Sequence, residues 1–321
     1  MPAGDCRVDV WERRGLLVAP PAGNPAWATH AQAPTVLPLA ADCWRAYVGG
    51  RDGGNCSRVF CVDLDPRNDF RVLRVHAEAA LDCGEPGTFD VHGVAPAAVL
   101  PHGDQVWLYY SGIAQRRDVP YQIAVGLAVS EDGGISFRRA CPGPVMGPGP
   151  HDPYFVSSPS VWRSGRHFRA VYSSATQWRQ HASQWECSYQ LRGAASEDGV
   201  HWQIDADPAL ELAPGEAGMG RSCALPGSDG LQLWFSHRGV ERFRAAGGDA
   251  YRLQRALSAD GRRWQRDASD LAWSPPPAPG DWDEWMQAYP CVLPWRDGLV
   301  MFYNGNDFGR GGFGWAVSRA S

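Results

Sequence analysis

The apolar positions of this chain fall in short runs of strand length, broken by turns rich in Gly, Pro and Asp, and no stretch follows a helical period. A fixed internal period would set the whole fold, so it is sought first. Three segments match one another: Gly126–Phe137 (GLAVSEDGGISF), Gly193–Trp202 (GAASEDGVHW) and Arg255–Trp264 (RALSADGRRW). Each reads as an apolar strand, then Ser-x-Asp-Gly, then a strand opening on an aromatic. Asp-Gly between two strands predicts a tight hairpin, because Gly tolerates the positive φ such a turn needs. The serines fall at 130, 196 and 258, a period of roughly 60 to 66 residues.

Upstream of each hairpin lies a second recurring pair, a strand with a Pro followed by a strand rich in Trp, Tyr and Phe. The instances are APTVLPL with WRAYVGG, VAPAAVL with VWLYYSG, SSPSVW with FRAVYSS, SCALP with LQLWFSH, and AYPCVLP with LVMFYNG. The last copy ends at GFGWAVSRAS, one strand short, and CRVDVWERRGLLVAP near the N-terminus is a strand left over. Supplying the missing strand from the other terminus would close the ring and remove its open edges. The expected fold is all-β, a single five-bladed β-propeller spanning residues 1–321 as one domain, closed by the N-terminal strand.

Composition narrows the functional classes. Hydrophobic residues make up 44% of the 321 residues, enough for a real core, and the net charge of −5 with interspersed signs offers neither a nucleic-acid surface nor a cationic membrane face. No apolar run is long enough to span a bilayer, and Met1–Arg14 has no signal-peptide core, so a soluble cytoplasmic protein is expected. The chain has no lysine, which excludes Schiff-base chemistry. Its nine cysteines form no CxxC pair and no zinc spacing; Cys43, Cys61, Cys187, Cys223 and Cys291 lie in strand-like runs and read as buried free thiols.

The strings FDVHGVAP, VWLYYSG, VPYQIAVGLAVSEDGG, HDPYFVSSPSV and YNGNDFGRGGFGWAV resemble the five-bladed propeller glycosidases, the arabinanase, levansucrase and invertase superfamily that includes glycoside hydrolase families 43 and 32. The resemblance runs from about His30 to Ser321. It implies carboxylates directed into an axial channel, one protonated and one ionised across the anomeric carbon. Carried onto this chain, the catalytic candidates are Asp90, Asp152 and Glu284, although blade one, His30-Ala31-Gln32-Ala33-Pro34, lacks the carboxylate that arabinanase relatives have before the Pro. Relatives with an axial calcium ion near a histidine extend the same allowance here, with no metal site assigned. The Ser-x-Asp-Gly turns resemble the Asp-boxes of sialidases, which lie on the outer rim and are structural.

Each candidate has a plainer reading. Asp90 suits an Asx turn, and Asp152 a loop cap ahead of Pro153. Glu284, between Trp282, Trp285 and Tyr289, suits either a general acid with a raised pKa or a surface loop. Glu186 in Trp-Glu-Cys echoes the invertase acid motif but opens a third strand of its blade, which favours coincidence. His30, Gln32, Asp52, His92, Trp285, Tyr289, Asn304, Asn306 and Asp307 are the expected substrate-binding groups, with Arg51, Arg221 and Arg238 as anion clamps and Glu216 and Asp283 nearby. The leading expectation is a glycoside hydrolase-like enzyme acting on a small-molecule or oligosaccharide substrate by carboxylate acid/base catalysis. The alternatives are an isomerase, lyase or cyclase of sugar or natural-product biosynthesis using His30, Asp90 and His92, and a non-catalytic carbohydrate-binding propeller.

Overall fold

A computed structural model describes residues 10–181, 184–227 and 230–319. Nearly all of the regular structure is strand, arranged as five antiparallel meanders in chain order. The first runs Thr29–Ala40, Cys43–Arg51, Ser57–Asp65 and Arg71–Val75. The second is Gly93–His102, Gln105–Gln115, Tyr121–Ser130 and Arg138–Arg139. The third comprises Val156–Ser164, His167–His181, Gln184–Ser196 and Gln203–Leu210. The fourth comprises Glu216–Gly227, Gly230–Gly239, Arg252–Ser258 and Gln265–Asp270. The fifth has only Ala288–Trp295, Gly298–Asn304 and Phe313–Arg319 in sequence, and Val10–Val18 completes it, antiparallel to Phe313–Arg319. The expected N-terminal strand is thus present from Val10; its residues 6–9 lie outside the described residues. Ala272–Ser274 adds a short parallel strand outside it.

By hydrogen bonding these strands form three open sheets, none closed on itself, because single parallel bridges, Ser57 to Gly93 and Tyr189 to Gly218, join neighbouring meanders pairwise. Side-chain packing extends further. The five first strands touch one another in order, and the fifth touches the first. One hydrophobic cluster fills each interface between successive meanders: Tyr47 and Leu108 between one and two, Tyr109 and Phe168 between two and three, Val171 and Leu233 between three and four, and Trp234 and Tyr303 between four and five. A fifth cluster joins five to one through Trp27, Phe60, Phe70, Phe302 and Trp315.

Every first strand carries a bulge at or beside one repeating position: Pro34, Pro96, Pro159, Arg221 and Pro290. Proline has no N–H to offer a ladder and belongs at edges and bulges, and each first strand pairs along its length on one side only. This corrects the reading of SCALP as the fourth copy. Pro226 pairs with Leu231 at the far end of its strand, and Arg221 holds the repeat position instead.

The Ser-x-Asp-Gly segments also differ from the two-residue hairpins expected. Third strands end at Ser130, Ser196 and Ser258, and fourth strands begin only at Arg138, Gln203 and Gln265. The Asp side chain explains the wider turn. Asp132 accepts the N–H groups of Ile135 and Ser136, and Asp198 those of Val200 and His201, so the loop is closed by a carboxylate and not by a ladder. Burial works against the Asp132 charge, but bonds from Ser130, Ser136 and Ile135 hold its carboxyl well below the usual range. Each turn is then gripped by the second strand of the preceding meander. Tyr47 donates to the Gly134 carbonyl at 2.7 Å, Tyr109 to Gly199 at 2.8 Å, and Arg169 to Gly261 at 3.2 Å. Gly134 and Gly199 sit at φ +84° and +77°, where a Cβ would be strained. Between five and one, Trp295 Nε1 donates to Pro66 O at 3.0 Å and does the same work.

The turns are therefore inter-meander clasps. Tyr47→Phe and Tyr109→Phe should each lose about 1 kcal/mol in urea unfolding, the cost of a buried acceptor left without its donor. Losses indistinguishable from zero at both positions would show that the clasps do not contribute.

Candidate functional site

First strands begin, and second strands end, at the same end of the molecule, and the candidates from different meanders gather there. Three of the first strands start strained. His30, Ser158 and Tyr289 have φ of 62°, 50° and 58°, a left-handed backbone that non-glycine residues seldom adopt away from constrained sites. Two cavities, of about 290 and 370 Å³, lie at the opposite end, around Arg296–Leu299 and Ser196–Gln203, and hold none of the candidates.

Each catalytic candidate is held by partners of its own meander. Asp90 is fully buried; Oδ1 accepts from Thr88 Oγ1 at 2.8 Å, and Oδ2 from Tyr110 OH at 2.9 Å and Arg139 Nε at 2.7 Å. Asp152 is likewise buried, taking the Tyr172 hydroxyl at 2.8 Å and the Ser174 hydroxyl, with Arg192 Nε at 3.5 Å. Asp283 accepts from Tyr303 OH at 2.6 Å and is paired with Arg13 of the N-terminal strand. In all three the tyrosine is 20 residues after the aspartate. The fourth meander repeats the device in other residues: Glu216 meets His237 Nδ1 at 3.0 Å and Arg266 Nη1 at 2.7 Å. A buried carboxylate with a hydroxyl or imidazole from the second strand and a guanidinium from a later one is thus a structural rivet repeated in four meanders.

Glu284 corrects the expectation of a carboxyl held among indoles. It is exposed, and Oε2 accepts the Gly280 N–H at 2.9 Å, closing its own loop, while Trp282 packs instead on Tyr303 with centroids 5.0 Å apart. Other candidates also hold backbone. Asn304 is fully buried and ties the fifth meander to the first, accepting from Ala33 N at 2.7 Å and donating to Ala31 O at 2.9 Å. Asn306 Oδ1 accepts the Trp285 and Met286 N–H groups, and Asp52 caps Gly54 and Cys56 and pairs with Arg58 at 2.8 Å. Asp307 and His92 are exposed; His92 Nδ1 accepts from Gln115 N at 3.2 Å.

Arg221, at the repeat position described above, reaches across to the first strands of the first and second meanders. It donates to Ala33 O and Pro34 O at 2.9 Å, Pro96 O at 3.0 Å and Thr35 Oγ1 at 2.8 Å. These acceptors would face an axial cation. They already serve a guanidinium, so the residues present do not fit a calcium ion there. Among the described residues no three His, Cys, Asp or Glu side chains form a metal-ligating group.

What does converge at the open end is aromatic and basic. Arg51 Nη2 donates to Gln32 Oε1 at 2.7 Å, and both lie beside the Tyr289 hydroxyl. The ring of Tyr289 is 5.8 Å from that of Tyr251, which stands 6.1 Å from Phe308. Arg238 is buried against these phenols, donating to Tyr189 OH at 3.2 Å and Cys187 O at 2.7 Å. Trp178 packs on Tyr121 at 5.2 Å. Glu186, on the third meander's central hairpin, pairs with Arg244 through Oε1 while its buried Oε2 has no partner. Burial, then Arg51 and Arg310, push the His30 pKa down to about 4, so it is neutral at pH 7.

Sequence reasoning missed Tyr121, Trp178, Tyr189, Arg244, Tyr251 and Phe308. A signal was available for two of them. Tyr189 and Tyr251 each precede the serine of their Ser-x-Asp-Gly turn by seven residues (196 − 189 and 258 − 251). Among the described residues no helix is long and apolar enough to cross a membrane.

In overall shape the chain is similar to solved glycoside hydrolase-like propellers. A structure of a BT0996–RGII complex superposes with a TM-score of 0.72 at 18% identity, over 98% of this chain and 94% of that protein. A GH130-family structure, from work on glycoside hydrolases that target β-1,2 mannosidic linkages in Candida mannan, gives 0.70 at 12% identity, covering 99% and 96%. The GH32 β-fructofuranosidase of Bombyx mori gives 0.62 at 14% identity, covering 91% of this chain and 62% of the enzyme. These likenesses define the class of fold, an all-β architecture of the glycosidase-propeller kind. No family model matches the chain. It is 32% identical over 309 residues to the proteins MT1551 and Rv1502 of Mycobacterium tuberculosis, covering 96% of this chain and 98% of each of them, and it belongs to their family. Both relatives are described as uncharacterized.

Two tests follow from the rivets. Asp90→Asn and Asp152→Asn should each lower unfolding free energy by about 2–4 kcal/mol, since an arginine and a tyrosine lose their buried partner; a fully stable variant would release that aspartate for another role. The His237 pKa is set against burial by Asp270 and Glu216, which raise it from 6.5 to about 9. Its contribution is complete below pH 6.5 and lost as pH rises through 9. Urea midpoints of the native protein should fall between pH 7 and 10, and His237→Gln should remove part of that fall. Parallel pH profiles for the two proteins would refute it.

Proposed function

We propose that residues 1–321 form one five-bladed propeller whose function is to bind a carbohydrate at the end where the first strands begin. The supporting observation is the gathering there of Tyr121, Trp178, Tyr189, Tyr251 and Tyr289, from four meanders, beside Gln32 and Arg51 from the remaining one. Sugars present C–H faces that stack on aromatic rings and hydroxyls that accept from guanidinium and amide groups, and a site of that composition meets both needs. The likeness in fold to proteins named as glycoside hydrolases and a fructofuranosidase points the same way.

Hydrolysis through Asp90, Asp152 and Glu284 has little support. Glycoside cleavage needs two carboxyl groups roughly 5–10 Å apart across the sugar, whereas Asp90 and Asp152 are each sealed in their own meander and Glu284 closes a loop. A second reading is favoured by one observation. Glu186, paired with Arg244, keeps a buried oxygen without a partner at this same end, which suits a base or nucleophile in a hydrolase or transglycosidase.

Calorimetry and thermal shift against neutral and acidic mono- and oligosaccharides, with aryl glycosides assayed for turnover, test both readings. Binding weakened about tenfold by Trp178→Ala or Tyr121→Ala, the worth of one stacked ring, is expected. A panel in which no sugar binds would overturn the proposal. Turnover lost in Glu186→Gln and retained in Asp90→Asn would establish the second reading.

A further inference from the structure

The arginines at the carbohydrate end differ in their partners. Of the carboxylates there, Asp90, Asp152 and Asp283 are engaged in rivets, Glu216 with His237 and Arg266, Asp52 with Arg58, and Glu186 with Arg244, while Glu284 and Asp307 are exposed. Three arginines there are held by neutral acceptors alone. Arg51 has Gln32 Oε1 and Asn55 Oδ1, at 2.7 and 2.9 Å. Arg238 has Tyr189 OH, Cys187 O and Gly239 O. Arg221 has three carbonyls and a hydroxyl, and its buried Nε, like the buried Oγ of neighbouring Ser222, has no partner. Guanidinium groups are costly to take from water without counter-charge, and a site that keeps several in that condition is primed for an anion.

The Tyr289 hydroxyl is within reach of Arg51, Gln32 and Arg244. Burial raises its pKa and Tyr189 adds to that, while Arg51, Gln32 and Arg244 act in the opposite direction. Arg51 and Arg244 belong to the first and fourth meanders, so two cations distant in sequence act on one hydroxyl. Arg51 is half-buried and already oriented by Gln32; Arg244 is exposed and stacks on Phe243 at 4.1 Å. His30, neutral at pH 7, adds no charge but can donate or accept.

We propose that the bound carbohydrate is anionic, carrying a carboxylate or a phosphate ester, and that Arg51 receives the anion beside the Tyr289 hydroxyl with Arg244 closing over it. This rests on the carbohydrate reading above and specifies its ligand class. A fork of parallel N–H donors matches either oxyanion, and a chain with no lysine has only guanidinium for the purpose.

Calorimetric titration at low salt with D-glucuronic acid, D-glucose 6-phosphate, D-glucose and inorganic phosphate tests it. At least one acidic sugar should bind about tenfold or more tighter than D-glucose and weaken as salt is raised. Arg51→Gln should erase that preference by weakening the acidic sugar about tenfold more than D-glucose, and Arg244→Gln, at an exposed position, should lower it without disturbing the fold, as thermal melts would check. The preferred sugar tells carboxylate from phosphate. D-glucose binding as tightly as both acidic sugars overturns this inference and leaves the carbohydrate reading standing. Inorganic phosphate binding as tightly as the sugar phosphate reduces the site to an ion site and overturns it too. No binding by any of the sugars overturns both readings.

Discussion

The constraint on which the rest depends is the unpaired inner edge of each first strand. These strands hydrogen-bond along their length to one neighbour only, so their other side faces the first strands of the adjoining meanders with backbone groups that must find partners or be absent. Proline at four of the five bulges removes a donor outright. The fifth position, Arg221, does the reverse, supplying four hydrogen bonds to acceptors on the first and second meanders. Asn304 performs a smaller version of the same task between the fifth meander and the first. A centre filled this way is a pinned hub with its charge buried.

A second layer of constraint lies just outward, where carboxylate, tyrosine and arginine lock the entry to a first strand against the strands behind it. This device separates two properties that sequence alone merges. An aspartate before a first strand in a glycosidase-like chain has the position of a catalytic group, but its chemistry is decided by what surrounds its oxygens. With two or three donors on each carboxylate and no exposure, Asp90 and Asp152 are better placed to hold strands than to exchange protons.

The repeat made most of the fold legible. The five strand pairs and the N-terminal strand closing the last meander could be read because an edge proline, an aromatic second strand and a Ser-x-Asp-Gly turn recur in fixed order. The fourth copy was misread for a physical reason: Arg221 meets by donation the need that proline meets by omission, so the expected letter was missing. The turns were assigned too tight because Asp-Gly serves a two-residue hairpin and a carboxylate-closed loop equally well, and only the following N–H groups distinguish them. Of the candidate site, Gln32, Arg51, Arg238 and Tyr289 were visible as polar or aromatic groups near first-strand starts or second-strand ends. Tyr121, Trp178 and Arg244 were not, because they lie on a third strand, on the long extension of a second strand and in a loop, whose reach over the end depends on hairpin length, as in His167–His181 with Gln184–Ser196.

The absence of lysine sharpens the functional argument. An ammonium buried at the position of Arg221 could offer three donors from one point, whereas the acceptors there belong to two meanders and are met by two separate nitrogens. The same geometry recurs at Arg238, which bridges a phenol and two carbonyls, and at Arg51, which bridges an amide and an asparagine. At Arg221 and Arg238 planarity lets one side chain cross an interface and remain charged, since burial is far from sufficient to remove a guanidinium proton. Structural use of arginine between meanders therefore leaves guanidinium charge held by neutral acceptors alone. A ligand carrying an oxyanion would meet that charge without any further residue having to be added to the fold.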